Sequence, residues 1–368
     1  MTGIGYTLTI AGIPAPEPIV RAIRGIDVDA STEEAAVMRI RLGVARTRLG
    51  DWRPLDVDPF RPLVPLSLRL RAGSPIPEAV INAFVLRQQA SYSGEPGTSS
   101  LEITAMDKTH FMNLHEKSMP WPNLPDAQIA QAIFGQYGVT PMVRPTPPGL
   151  VEPEGQTTQS DTDIRFLRRL ARRNGFECFV QPEPISGLDM GYFSPRKAIG
   201  FPDAVLSTEI GGCASNLEEL SVRYEMTQPT TVAAAGVDSR SKAPLVGVAP
   251  ASTEVPMGLE PAGVRIVPPP ISRPTGHAAG NAGELQTLAQ SIANSSSWSL
   301  VASGRVAPET GVLRPGGLAN VRGAGRLFNG AYELTRVTHR IAPGSYEQRF
   351  EARRNAVGMT GAEVYAEV

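Results

Sequence analysis

The 368-residue chain holds only two cysteines, three tryptophans and four histidines, and its aromatic content is 6%. Cys178 and Cys213 match no disulfide framework and no zinc spacing. Both lie among strand-forming residues, so they are expected as small buried hydrophobes in a protein assembled under reducing conditions. Scarce aromatics argue against a carbohydrate-binding β-module, which needs them clustered. No run approaches the roughly 18 apolar residues that span a bilayer, so no stable membrane insertion is expected. The opening "MTGIGYTLTIAGIPAPEP" lacks the basic start and apolar core of a secretory signal, so export by the general route is not expected. No charge of one sign dominates, because 35 basic residues stand against 36 acidic ones. That balance argues against nucleic acid as the main partner.

Catalytic constellations are also missing. His110 and His115 lie five apart, with no H-E-x-x-H around them, and His339 falls in an expected strand, where packing or hydrogen bonding explains it. His277 sits in a Pro/Gly-rich tract. Paired acids occur at Asp27/Asp29, Asp56/Asp58 and Asp161/Asp163. They would serve a hydrolase only if folding set two carboxyls about 5–10 Å apart across a cleft. Gly323 and Gly325 have neither a Walker pattern nor a following helix, so turns explain them, and no S-x-x-K or G-x-S-x-G elbow occurs. No catalytic residue, cofactor or metal ligand is expected, and the chain reads as a non-enzyme.

What is present is punctuation and alternation. The 36 glycines and 34 prolines favour many turns and short strands. Residues 1–115 carry "YTLTI", "AVMRIRLGV", "PLSLRLRAG", "AVINAFVLRQQASYSG" and "SSLEITAMD", a first β-barrel or sandwich unit. Residues 116–204 are mixed. "PDAQIAQAIFGQYG" places Ile129, Ile133 and Phe134 at helical spacing and ends in Gly138. "SDTDIRFLRRLARRNGF" predicts a helix over 161–174, with Ser160 as cap, Ile164, Leu167, Leu170 and Ala171 as the apolar face, and Asn174-Gly175 as the stop. Its five arginines, Arg165, Arg168, Arg169, Arg172 and Arg173, fit either a solvated face or a subunit contact. Strand character returns in 205–238 and 285–357, a second β-unit interrupted by a Pro/Gly/Ala-rich insertion at 239–284 and followed by a tail at 358–368.

The clearest strand pattern is near the C-terminus, in "FNGAYELTRVTHRIAPGSYEQRFEARRN". Tyr346, Gln348, Phe350 and Ala352 share one face, and Glu347, Arg349, Glu351 and Arg353 the other. Acid and base alternate along that second face, which suits water or a neighbouring subunit. Earlier, Tyr332 and Leu334 are in one phase and Val337 and Ile341 in the other, which predicts a bulge or a strand buried on both faces. Asn329-Gly330 reads as a hairpin turn and Ala342-Pro343-Gly344-Ser345 as the next reversal.

The segment "QTTQSDTDIRFLRRLARRNGFECFV" resembles the E-S-D-x-x-F-L-x-R-L-A-x-x-x-G stretch of the phage late control protein D family, through Ser160, Asp161, Phe166, Leu167, Arg169, Leu170, Ala171 and Gly175. The ending is similar to that family's closing strands, through Gly330, Tyr332, Val337, His339, Tyr346, Phe350, Arg353 and Asn355. The resemblance runs from about residue 6 to 357. It implies an α+β, mainly β fold, with two tube-type antiparallel β-barrel domains joined by a mixed α/β region. It also implies a homotrimeric baseplate hub of a contractile tail or phage-derived injection system, assembled in the bacterial cytoplasm. The hub would adapt a six-fold inner tube to a three-fold spike. Its partners would be further copies of itself, the tube protein, the spike and other baseplate proteins. The chain ends soon after the last strand, without the OB-fold and needle of fused spikes, so a separate spike protein is expected. A hub-borne cell-wall hydrolase or a carbohydrate-binding β-module is the alternative.

Overall fold

The computed structural model describes the chain apart from residues 1–4, 54–57, 96, 148–156, 209–214, 229, 239–240, 276, 280–281 and 362–368. Cys213, Asp56 and most of the C-terminal tail therefore lie outside the described residues. The strand Ser345–Arg354 alternates as its sequence predicts, with Tyr346, Gln348, Phe350 and Ala352 buried and Arg349 and Glu351 exposed. The preceding strand, Gly330–Ala342, does slip phase. Its register against Ser345–Arg354 shifts between Leu334 and Arg336, so Tyr332 and Leu334 point inward before the bulge and Val337 and Ile341 after it. Gly344, at φ 78°, makes the reversal between these two strands.

Gly330–Ala342 is the bridging strand of the molecule. Its first residues pair with Leu318–Arg322 and its later ones with Ile23–Ser31, more than 280 positions upstream in sequence. A single 13-stranded sheet results. From one end its main strands run Leu217–Tyr224, Leu300–Val306, Ser345–Arg354, Gly330–Ala342, Ile23–Ser31, Val37–Gly43, Ser100–Met106, Glu78–Ser91, Pro65–Arg71 and Gly5–Ile10. The sheet covers two cores. One gathers Ile26, Val28, Met38, Ile40, Leu42, Leu68 and Leu70 from the N-terminal strands. The other gathers Leu206, Leu300, Val321, Tyr332, Leu334 and Phe350. Each such side chain contributes about 1.5–3 kcal/mol by burial.

The turn expected at Asn329-Gly330 is longer than a two-residue hairpin. One helical turn, Gly325–Phe328, fills the connection, and the Asn329 Oδ1 atom accepts the Ala324 N–H at 2.7 Å. A two-residue type I′ turn would need positive φ at both residues, and Asn329 has φ −65°. Gly323 does lie in a bend, at φ 93°, but Gly325, at φ 79°, opens the short helix Gly325–Phe328, so a helix does follow these glycines.

Between the cores sits the mixed unit. Helices Asp126–Gln136 and Asp163–Asn174 pack with strands Thr140–Val143, Phe176–Pro182 and Asp189–Pro195. The second helix buries Ile164, Leu167, Leu170 and Ala171, adds Phe166, and stops at Gly175 in the left-handed region. Ser160 is not its cap. Thr162 occupies that position, and its hydroxyl donates to Asn113 instead of capping the helix.

Strand Thr231–Asp238, expected in the second β-unit, pairs instead with Pro244–Ala249. Helix Ala282–Ser297 covers that pair through Leu285, Ala289 and Ala293, which meet Val232, Ala234 and Ala249. The inserted tract is thus a small layered unit of its own, beginning earlier than its composition indicates. Small residues explain the fit: a Cβ at Gly247 would lie 2.5 Å from the Leu285 carbonyl oxygen of the helix. The free edge of Pro244–Ala249 is capped at Val248 by one side chain, because Gln286 accepts the Val248 N–H at 2.9 Å and donates to the Val248 carbonyl at 2.8 Å.

Residues 255–262 of the same tract are fastened to the end of the sheet. The Arg354 side chain is fully buried, stacks over Tyr332, and donates to the carbonyls of Asn329 (2.6 Å), Met257 (2.9 Å) and Gly358 (2.6 Å). Its neighbour Asn355 accepts the Met257 N–H and donates to the Val255 carbonyl, both at 2.9 Å. A Cβ at Gly330, which has φ 130°, would sit 2.5 Å from Nη2 of Arg354, so only glycine lets the guanidinium through. Arg354→Ala leaves three carbonyls without their donor, at about 1 kcal/mol each. Urea unfolding of this variant is expected to show a loss of about 3 kcal/mol, and a loss below about 1 kcal/mol would remove the clasp's importance.

Candidate assembly surface

Eight strands, from Leu217–Tyr224 across to Glu78–Ser91, pair antiparallel at every step. Their register lines up side chains in rows. On the core side, Tyr346, Ile341, Ile26, Ile40 and Ile103 are successive neighbours. On the other side, one row reads Glu347, Arg340, Asp27, Arg39, Thr104 and Arg87. A second reads Glu219, Arg305, Arg349, Thr338 and Asp29, and a third Ser221, Ser303, Glu351, Arg336 and Ser31. The alternation seen in one strand is therefore a property of a whole face.

Most of its charges are matched within the chain. Asp27 meets Arg41 at 3.0 Å and Arg340 at 3.7 Å, and Asp29 meets Arg336 at 3.4 Å. Glu347 meets Arg349 at 2.5 Å, Glu102 meets Arg87 at 3.8 Å, and Arg353 reaches Glu33 at 3.4 Å. Exposed pairs like these contribute roughly 0–1 kcal/mol each, so they set the texture of the face more than its stability. Arg39 makes no ion pair among the described residues. A shallow concavity in the face has Gly304 and Phe350 at its floor, with Glu219, Arg336, Arg349 and Glu351 around it.

The five helix arginines do not form one surface. Arg165, Arg169 and Arg172 are exposed, and Arg169 pairs with Asp161 at 3.2 Å. Arg168 turns inward and buries Nε and Nη2. Arg173 is taken up inside the chain: it grips Asp126 through Nε at 2.6 Å, donates to the Thr157 hydroxyl at 3.0 Å and approaches Glu284 at 3.7 Å. Burial acts to lower the Arg173 pKa, but the bond to Asp126 outweighs it and the net shift is upward. Asp163 likewise serves the interior, accepting from Lys117 (2.5 Å), Tyr137 (2.6 Å) and Gln159 (2.7 Å). Burial would raise its pKa, and these three donors bring it below the usual carboxylate value.

Two other sequence candidates, His339 and Cys178, pack in the interior. His339 is buried, its Nδ1 lies 2.9 Å from the Tyr346 hydroxyl, and burial pushes its pKa down to about 3. Cys178 is buried among apolar neighbours, which push its thiol up to about 12. The Asp27/Asp29 and Asp161/Asp163 carboxylates are engaged by the cations named above. Among the described residues, no group of three or more His, Cys, Asp or Glu side chains could hold a metal ion, and no helix is long and apolar enough to cross a membrane. Sequence reasoning missed Arg354, whose neighbours Arg353 and Asn355 it did single out. It also missed Arg196, Glu177 and Glu333, which carry no local signal because their partners come from distant segments.

Arg173→Ala strands the buried Asp126 carboxylate and is expected to cost about 3 kcal/mol in chemical unfolding. Arg165→Glu and Arg172→Glu are expected to stay within about 0.5 kcal/mol of the parent. Equal costs at all three positions would contradict this division of the helix.

The sequence matches no family model and no curated protein. Solved structures do match. A tail protein from Neisseria meningitidis MC58 aligns over 96% of this chain and 97% of its own, with TM-score 0.65 and 13% identity. The 43 kDa tail protein of prophage MuSo2 from Shewanella oneidensis aligns over 96% and 100%, with TM-score 0.69 and 13% identity. The E. coli c3393 protein, described as a component of the type VI secretion system similar in structure to the T4 tail proteins gp27 and gp5, aligns over 94% and 76%, with TM-score 0.57 and 12% identity. The chain has the fold of phage tail proteins, in keeping with its resemblance to the late control protein D family.

Proposed function

We propose that this chain is a structural subunit of a contractile phage tail or a phage-derived injection particle. Three copies form the baseplate hub ring that adapts a six-fold inner tube to a three-fold spike. The observation that carries this reading is the charged eight-strand face with an unpaired edge at each end. Strand Leu217–Tyr224 pairs only with Leu300–Val306, and residues 87–91 pair only with Ser100–Met106 among the described strands. Because the eight strands alternate in direction, the first and last run oppositely. A copy set edge to edge would continue the antiparallel order, and repeated head-to-tail contact of this kind closes into a ring. An exposed strand edge invites such pairing and needs a cover in the finished assembly.

The fold likeness to tail proteins supports this reading, and so does the presence of two hydrophobic cores under one sheet, which on this reading lets each subunit bring two β-units to the ring. On this reading the tube protein, a separate spike and other baseplate proteins are the neighbours, and the role is mechanical, not catalytic. The exposed arginines Arg165, Arg169 and Arg172 are proposed to face such neighbours.

Light scattering after size exclusion is expected to give the mass of three copies. A double variant, Arg223→Cys with Gln89→Cys in a Cys213→Ser background, is expected to cross-link copies into covalent trimers on oxidation. A monomer that stays monomeric at high concentration and yields no cross-links, even when flanking positions such as Ser221 are tried, would refute the ring.

A further inference from the structure

Four acidic side chains from four parts of the chain converge on one junction, with Glu177 and Glu333 buried, Glu254 half-buried and Glu33 exposed at its rim. Glu177 comes from strand Phe176–Pro182, Glu333 from the bridging strand, Glu33 from the turn after Ile23–Ser31, and Glu254 from the inserted tract. Among the described residues, two guanidinium groups pair with them. Arg196 lies 3.5 Å from Glu177 and 3.6 Å from Glu33, and Arg353 lies 3.4 Å from Glu33. Lys197 lends only its backbone N–H, which Glu333 accepts at 2.5 Å, while its amine points to Asp203 at 3.5 Å. The Thr32 hydroxyl donates to Glu177 at 2.9 Å.

The pairing is incomplete on both sides. Glu333 is 1% exposed, and its Oε2 atom is buried with no hydrogen-bond partner. Nη1 of Arg196 is also buried without one, and the guanidinium lies over the Trp298 ring, 5.5 Å from its centre. An ionised Glu333 would leave an unsatisfied charged oxygen inside the protein, facing further carboxylates with too few cations. A neutral carboxyl removes that cost.

We propose that this junction is a proton-held lock: a proton resident on Glu333 keeps the inserted tract, the mixed unit and the shared sheet joined, and its loss to solvent base loosens them. Burial first, and the Glu177 charge second, raise the Glu333 pKa to about 8, and burial also raises those of Glu177 and Glu254. In the unfolded chain Glu333 titrates near 4.3. Its protonation therefore stabilises the fold fully below that value, and the contribution drains away as pH rises through about 8.

Trp298 is the built-in reporter. Its fluorescence, isolated by changing Trp52 and Trp121 to Phe, is expected to titrate with a midpoint of about 8, with far-ultraviolet circular dichroism unchanged. Glu333→Gln keeps the shape, cannot ionise, and should abolish that titration; Glu254→Gln should retain it with a lowered midpoint. If Trp298 does not titrate between pH 6 and 10, the lock does not exist. Persistence of the titration in Glu333→Gln, or its coincidence with global unfolding, would equally overturn the proposal.

Discussion

Everything else in the molecule depends on one strand having two sets of partners. Gly330–Ala342 gives its first backbone groups to Leu318–Arg322 and its later ones to Ile23–Ser31, and the bulge after Leu334 makes the exchange possible. Without the bulge, a period of two would turn either Tyr332 and Leu334 or Val337 and Ile341 outward. With it, one strand faces both cores correctly. Two hydrophobic units that could have been separate domains are thereby set in fixed register on one continuous sheet.

That continuity gives meaning to the charged face. An isolated strand with alternating Glu and Arg is only a soluble surface. Eight such strands in register make a broad field of short ion pairs. The exposed pairs add little stability, whereas the deep polar contacts of Arg354, and of Arg173 with Asp126, determine how the parts are joined. Stability and surface character are thus assigned to different arginines, although all of them look alike in the sequence.

Strands were legible in the sequence wherever one face is buried and the other wet, as in 345–354, 37–43 and 65–71. The bulge was legible too, because a phase change within a strand has few causes. Gly175 and the apolar side of helix Asp163–Asn174 followed from helical spacing and left-handed stops. The cap did not, because Ser160 and Thr162 are chemically alike and only the fold decides which one meets the first turn. The inserted unit escaped for a different reason: Thr231–Asp238 is made of small residues, so nothing local shows that its partner is Pro244–Ala249 and not the large sheet. Arg168 and Arg173 looked equivalent to Arg165 and Arg172 because burial of an arginine depends on an acid elsewhere, here Asp126 for Arg173 and Asp107 for Arg168.

Gln286 has a consequence for how copies find one another. By occupying both backbone groups of Val248, it blocks strand pairing at that point on the outer edge of Pro244–Ala249. Crowded chains thus have one fewer place to mispair. A glutamine side chain on a helix acts here as a guard against faulty assembly.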